Sequence, residues 1–177
     1  MKTDEFDTLE QIFHFVAPKV REAAVKTATQ LEQLGIRYAL VGGLAVGVYG
    51  YIRATQDVDF LVGEEAFEHH GLLVTFKAGV PIEVDGIKID YLSTLPFGPQ
   101  MEAVFEKATV SQGIPIVPLE ALIYMKLVAK RRRDQLDIIE LIKAGINLKP
   151  IRHYLTQYVS DLLPLFEELV AEAENYG

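Results

Sequence analysis

The chemistry-bearing residues of this chain concentrate in one stretch, YALVGGLAVGVYGYIRATQDVDFLV, residues 38–62. Asp57 and Asp59 alternate with Val58 and Phe60. On a strand, both carboxylates therefore point to one side of the sheet and the apolar pair to the other. Two neighbouring carboxylates on a rigid strand repel unless a cation or a proton lies between them. A divalent ion fits such a pair, and magnesium or manganese suits hard oxygen ligands. Upstream, Gly42-Gly43 follows the apolar run Tyr38 to Val41. A diglycine between a strand and a helix lets the backbone approach a ligand with its amides aimed outward. Thirteen residues separate Gly43 from Asp57, room for one short helix and the turn into the next strand. Arg53 and Thr55 fall in that turn. Plainer readings stand beside these: a tight strand-to-helix junction for the glycines, surface positions for the aspartates, and an ion pair between Arg53 and one of them. The flank Phe60-Leu61-Val62 argues against exposed aspartates.

Apolar-Gly-Gly, a spacer of this length, then Asp-apolar-Asp resembles the nucleotidyltransferase superfamily of the DNA polymerase β type. GGLAVGVYGYIRATQDVDFLV is most similar to its small bacterial branch of AbiEii-type toxins and antibiotic adenylyltransferases, with Gly-Gly-x-Ala followed by Arg-x-Thr-x-Asp-apolar-Asp. The resemblance covers about 25 contiguous residues well and the rest of the chain loosely. It implies transfer of a nucleoside monophosphate from a nucleoside triphosphate, such as ATP, with release of pyrophosphate. It also implies a third aspartate from a later strand. The stretch MKLVAKRRRDQLDIIEL is again similar to that branch, in which a lysine-bearing helix precedes an Arg/Lys-Asp-x-x-Asp-apolar step. A cognate antitoxin-like partner is a further implication.

The third carboxylate has two candidates on a hairpin. Val80 to Val84, then Asp85-Gly86, then Ile87 to Leu92 carries the signal of a two-residue turn between alternating runs. Lys88, Asp90 and Leu92 share one side of the second strand, and Asp90 has apolar neighbours, a costly place for a lone charge. Asp90 is the preferred match and Glu83 the alternative. Among cations, Lys126, Lys130 and Arg133 stand at i, i+4 and i+7, one face of a continuous helix, and Lys126 sits deepest in its apolar part. Asp134 or Asp137 would hold one of these cations or cap the next helix. A charged corner between helices is the plain alternative.

Composition narrows the class. The 177 residues are 50% hydrophobic and 24% charged, ordinary for a globular domain. With no cysteine, disulfides and thiolate zinc sites are excluded. The net charge of −8 opposes general affinity for nucleic acid. Residues 126–153 nevertheless hold eight Lys/Arg against three Asp/Glu, a basic island of +5 in a remainder of −13. Such an island suits a polyphosphate or one local RNA contact, and equally a solvated helix face. The start, MKTDEFDTLE, is acidic and lacks the basic start and apolar core of a signal peptide. The longest uncharged run, residues 38–52, is too short to span a bilayer. The expectation is a cytoplasmic protein with no membrane contact.

The elements that must position these groups follow from pattern. A helix is predicted from Pro18 to Leu34, stopped by Gly35, after a short helix around Ile12 to Val16 that holds His14 as a packing residue. GEEAFEHHG reads as a loop or short helix. Its adjacent His69 and His70 face different ways and lack a third ligand, which opposes a zinc site. LLVTF, residues 72–76, is strand-like. Helical turns are expected over residues 99–107 and two short strands across Gly113. A helix follows Pro118, another IIELIKAG, and two more residues 151–158 and 161–174. The predicted fold is α/β (α+β): a small mixed sheet with flanking helices over 1–117, and a C-terminal helical cap over 118–177 packed on it as one unit.

On this reading Asp57 and Asp59 bind the metal with Asp90, Gly42 and Gly43 receive phosphates, and Arg53, Thr55 and Lys126 complete the nucleotide site. The acceptor is an RNA end, a protein hydroxyl or a small molecule such as an antibiotic. The alternative of another class is a non-catalytic nucleotide- or partner-binding module on the same fold. A glycosyltransferase, which also uses Asp-x-Asp, is opposed by the early diglycine.

Overall fold

A computed structural model of the protein describes residues 18–175. The expected short helix around Ile12 to Val16, with His14, lies outside the described residues.

Helix α1 (Pro18–Gln33) begins on a proline whose fixed φ suits a first turn. Val20, Ala24, Thr27 and Leu31 recur at helical spacing and are all buried, so one face packs against the sheet. Gly35, with φ of +70°, ends the helical path. Strand β1 (Tyr38–Val41) follows, buried throughout. Helix α2 (Gly42–Val48) starts at the diglycine itself and stops after seven residues. The chain then runs without regular structure to strand β2 (Val58–Val62). Val58 and Phe60 to Val62 are almost completely buried, so both faces of β2 are covered.

Strands β3 (Phe67–His70) and β4 (Leu73–Phe76) pair antiparallel in a small separate sheet. This corrects the expected loop or short helix over GEEAFEHHG: only Glu64–Ala66 forms a 3-10 turn, and the histidines lie on a strand. β5 (Glu83–Val84) and β6 (Ile87–Ser93) form the Asp85-Gly86 hairpin, whose two turn residues both have positive φ, 52° and 82°. Two 3-10 turns, Leu95–Phe97 and Pro99–Ala103, lead into α3 (Val104–Lys107). β7 (Thr109–Ser111) and β8 (Ile114–Ile116) then pair across Gln112-Gly113. Four helices complete the chain: α4 (Leu119–Ala129), α5 (Arg132–Lys143), α6 (Leu148–Tyr158) and α7 (Leu163–Asn175).

The main sheet has the order β5-β6-β2-β1-β8-β7. The central pair β1/β2 is antiparallel, with parallel β2/β6 and β1/β8 beside it and an antiparallel hairpin strand at each edge. The architecture is therefore α/β, a mixed six-stranded sheet with helices and a C-terminal run of helices. Phe60, Leu40, Leu44, Ile116, Leu122 and Phe166 are among the largest fully buried side chains, so one core joins sheet and C-terminal helices. Among the described residues, no helix is long and apolar enough to cross a membrane.

One cation expectation is corrected by the backbone. α4 ends at Ala129, and Lys130 takes a left-handed conformation with φ of 56°. Lys126, Lys130 and Arg133 consequently do not share one helix face, because the chain turns before α5 begins.

Candidate active site

Three adjacent strands bring the carboxylates together. Val41 is the Cα partner of Asp59 across β1/β2, and Asp59 is the Cα partner of Asp90 across β2/β6. Gly42, the first residue after β1, thus lies beside Asp59, while Asp57 stands at the bend just before β2. A cleft of about 460 Å³ opens here. Asp57, Asp59 and Asp90 line it, with Gly42, Gly43, Arg53, Thr55 and Lys126. The eight residues assigned to the site from the sequence all line this one cleft. Glu83, the alternative to Asp90, is exposed on the edge strand and does not line it.

The glycines are where the backbone comes closest to the acidic and cationic groups. Gly42 has φ of +70°, and a Cβ there would collide with the Asp59 carboxylate. A Cβ on Gly43 would stand 2.7 Å from Thr55 Oγ1 and 3.0 Å from Arg53 Nη1. The diglycine therefore leaves room for the Asp59, Arg53 and Thr55 side chains. A strand-to-helix junction alone does not ask for that.

Charges are distributed unevenly around the cleft. Burial first, then the Asp90 and Asp57 charges, push the Asp59 carboxyl up from 3.8 to about 6; Lys126 and Arg131 pull the other way. Asp137 is a neighbouring centre. Its Oδ1 accepts from Arg53 Nε at 2.8 Å, and its Oδ2 accepts from Arg53 Nη2 at 3.0 Å and Lys126 Nζ at 2.8 Å. Burial alone would raise the Asp137 carboxyl, but the Arg53 and Lys126 bonds outweigh it and hold it below its usual range. Lys126 also reaches Asp134 Oδ1 at 3.4 Å, and Arg131 Nε donates to Asp134 Oδ2 at 2.7 Å. Arg53 pairs with Asp137 and with neither strand aspartate, which corrects the pairing considered from sequence. Its remaining nitrogen, Nη1, is buried with no hydrogen-bond partner among the described residues.

Sequence reasoning left Arg131 unassigned, yet it lines the cleft along with Arg133 and Asp134. Lys130 does not. The signal was the run KRRR, but the left-handed turn that aims it carries no glycine to announce it.

The fit to a divalent ion can be judged from the donors. Among the described residues, no three carboxylate or histidine groups are already gathered as a metal cage. Asp90 is drawn toward Lys88, 3.2 Å away. His69 and His70 are exposed on β3, remote in role from the cleft they do not line. Magnesium, however, needs only one or two protein carboxylates when phosphate oxygens and water supply the rest. Asp59, crowded by two like charges and only partly offset by Lys126 and Arg131, fits that partial donor set for a metal-bound polyphosphate.

No protein-family model matches the chain, and no curated protein does. Among solved structures it is similar to an antigenic nucleotidyltransferase-like protein from Paracoccidioides brasiliensis, with a TM-score of 0.45 and 16% identity, over 85% of this chain and 93% of that one. So distant a likeness leaves function to be argued from the cleft. Nothing in it singles out the AbiEii-type branch.

Proposed function

We propose that the cleft transfers a nucleoside monophosphate from a nucleoside triphosphate to a hydroxyl acceptor, releasing pyrophosphate. One observation carries this reading: three aspartates line the same cleft as a diglycine and Arg53, whose Nη1 is buried with no hydrogen-bond partner among the described residues. Acidic groups alone would suit a structural cation. An acidic cluster facing a buried cationic donor suits a ligand that is itself both metal-bearing and anionic.

Asp57 and Asp59, with Asp90, would hold magnesium or manganese, which neutralises phosphate charge and favours the attacking oxygen. The chain's own residues do the rest. Gly42 and Gly43 let the Asp59, Arg53 and Thr55 side chains pack against the backbone at the triphosphate site. Arg53 lends its guanidinium charge to the phosphates that leave, and Thr55, whose hydroxyl donates to the Arg53 carbonyl, braces the turn beside Gly43. Asp137 fixes Arg53 in that orientation by its two hydrogen bonds, so little reorganisation accompanies charge transfer to the leaving group. Lys126 and Arg131 add positive charge beside Asp59.

A second reading keeps the fold and drops the catalysis. It is favoured by the pairing of both Arg53 and Lys126 with Asp137, and of Asp90 with Lys88, which leaves few free donors. One experiment separates the two. Each of the four nucleotides labelled at the α-phosphate is offered with magnesium and a panel of RNA, protein and small hydroxyl acceptors, and melting is followed in parallel. Transfer that disappears in Asp59→Asn supports the enzyme. A metal-dependent melting shift without transfer on any acceptor supports the module, and the absence of any such shift removes both.

A further inference from the structure

A second compartment of about 180 Å³ opens off the carboxylate cleft. The two share Gly42, Asp59, Lys126, Arg131 and Asp134. Everything else lining the smaller one is apolar, from Val41, Leu92 and Phe97 to Leu122 and Met125. The elements that carry polar groups into the cleft carry these residues too. Val41 is the Cα partner of Asp59. Leu92 follows Asp90 by two residues on β6 and so shares its face. Leu122, Met125 and Ala129 lie on one stripe of α4 with Lys126. Phe97 is fixed in place by Tyr124, whose hydroxyl donates to its carbonyl at 2.5 Å.

Gly43, Arg53, Thr55 and Asp57 line the cleft but not the compartment. The end proposed for the triphosphate and the apolar end are thus divided by Gly42 and Asp59. In an in-line displacement, the attacking and leaving oxygens stand on opposite sides of the phosphorus. With the triphosphate at Gly43, Arg53 and Thr55, a group in the compartment is on the attacking side.

Resting on the nucleotidyl-transfer reading above, we infer that this compartment seats the acceptor: a hydroxyl carried on an apolar body about one ring in size. An apolar cavity of about 150 Å³ holds a benzene-sized ligand, so 180 Å³ accommodates a phenol or an alicyclic alcohol. The charged groups of its lining, Asp59, Lys126, Arg131 and Asp134, all belong to the part shared with the cleft, and the rest of the wall is apolar, where the further hydroxyls of a sugar or the phosphates of an RNA end would be unpaired. A free phenol and a tyrosine side chain present the same chemistry. The acceptor oxygen forms a bond to the α-phosphorus, and the bond from that phosphorus to the oxygen bridging to the β-phosphate breaks. Pyrophosphate leaves with the electron pair, and the hydroxyl proton passes to water.

Met125 supplies a reporter, because the chain has only three methionines and Met101 is buried away from the compartment. Protein labelled at its methionine methyls is titrated with p-cresol, and label transfer to cresol is measured with magnesium and nucleotide. Cresol should move the Met125 methyl resonance, leave that of Met101, and accept label. Ala129→Phe, at the exposed end of α4, should weaken cresol binding about tenfold or more while keeping the nucleotide-induced melting shift. Met125→Ala should enlarge the compartment and raise its affinity for p-propylphenol relative to cresol. N-acetyltyrosinamide and a tyrosine peptide, set against cresol, tell a protein acceptor from a free phenol. An unmoved Met125 resonance, cresol binding indifferent to Ala129→Phe, or transfer to an RNA end but not to cresol overturns the inference. Loss of the nucleotide shift in Ala129→Phe would give the compartment to the nucleobase and overturn it as well. A native protein that binds no nucleotide would fail the transfer reading instead, a result separable from the cresol titration.

Discussion

Asp137 grips Arg53 with both carboxylate oxygens, at 2.8 Å from Nε and 3.0 Å from Nη2, across 84 residues of sequence. The pair ties α5 to the irregular segment that precedes β2. Because Asp137 also binds Lys126, one nearly inaccessible carboxylate sets the position of two cations at the cleft.

Removing that carboxylate should be costly. Asp137→Ala leaves Arg53 and Lys126, whose side chains are 17% and 7% exposed, without their shared partner. Breaking one side of a buried pair costs about 3–5 kcal/mol. Urea denaturation should report a loss of that order. Arg152→Ala, which removes an exposed pair with Glu167, should cost less than about 1 kcal/mol. Equal losses from the two variants would mean that the Asp137 cluster is solvated and not a positioning device.

The contrast between these groups also explains what could be read from the sequence. Gly42, Gly43, Asp57 and Asp59 lie within one short stretch, so spacing alone brought them forward. Asp90 was legible because Asp85-Gly86 fixes the register of its strand. The Arg53–Asp137 pair was not, since nothing local links residues that far apart. β3 was missed because Phe67 to His70 is largely exposed and shows no alternation of apolar and polar residues. The shared face of Lys126, Lys130 and Arg133 failed because Lys130, without a glycine's signature, takes the left-handed turn. The apolar compartment was invisible for a related reason: its lining residues looked like ordinary core.

Gly42→Ala should damage the site more than the fold. The new methyl group would meet the Asp59 carboxylate, and a positive φ disfavours alanine by about 1 kcal/mol. The expected result is a modest loss of stability with disappearance of any magnesium- and nucleotide-dependent melting shift. Gly35→Ala has the same positive φ but no neighbour within 4 Å, and should share only the stability loss. A Gly42→Ala protein that retained the full shift would show that Asp59 is not needed where it stands.

Glu65 should govern part of the acid limb. Its carboxyl accepts from the backbone N–H, Nε and Nη2 of Arg37, and those bonds hold it down from 4.5 to about 2. A depressed folded-state value gives stability that is present above 4.5 and lost as the pH falls toward 2. Solvent screening of a half-exposed Arg37 limits the effect to about 1 kcal/mol. Glu65→Gln should be less stable by that amount near neutral pH and should lose the corresponding slope, checked by denaturation at several acid pH values.

Asp59 predicts a slope of the opposite sign. Its folded-state carboxyl, raised from 3.8 to about 6 by burial and then by Asp90 and Asp57, favours the protonated form. Its contribution is therefore full below 3.8 and is lost as the pH rises through about 6. Without metal, the protein should lose on the order of 2 kcal/mol from this group across that window. Asp59→Asn keeps the shape, removes the charge, and should abolish the slope, so that it is the more stable protein near neutral pH. Magnesium with nucleotide should reverse the order by binding the native folded state and not the variant. Melting curves of both proteins, with and without metal and nucleotide, test each half. A native protein whose stability is flat between 3.8 and 6 would mean that neither burial nor the Asp90 and Asp57 charges raise Asp59.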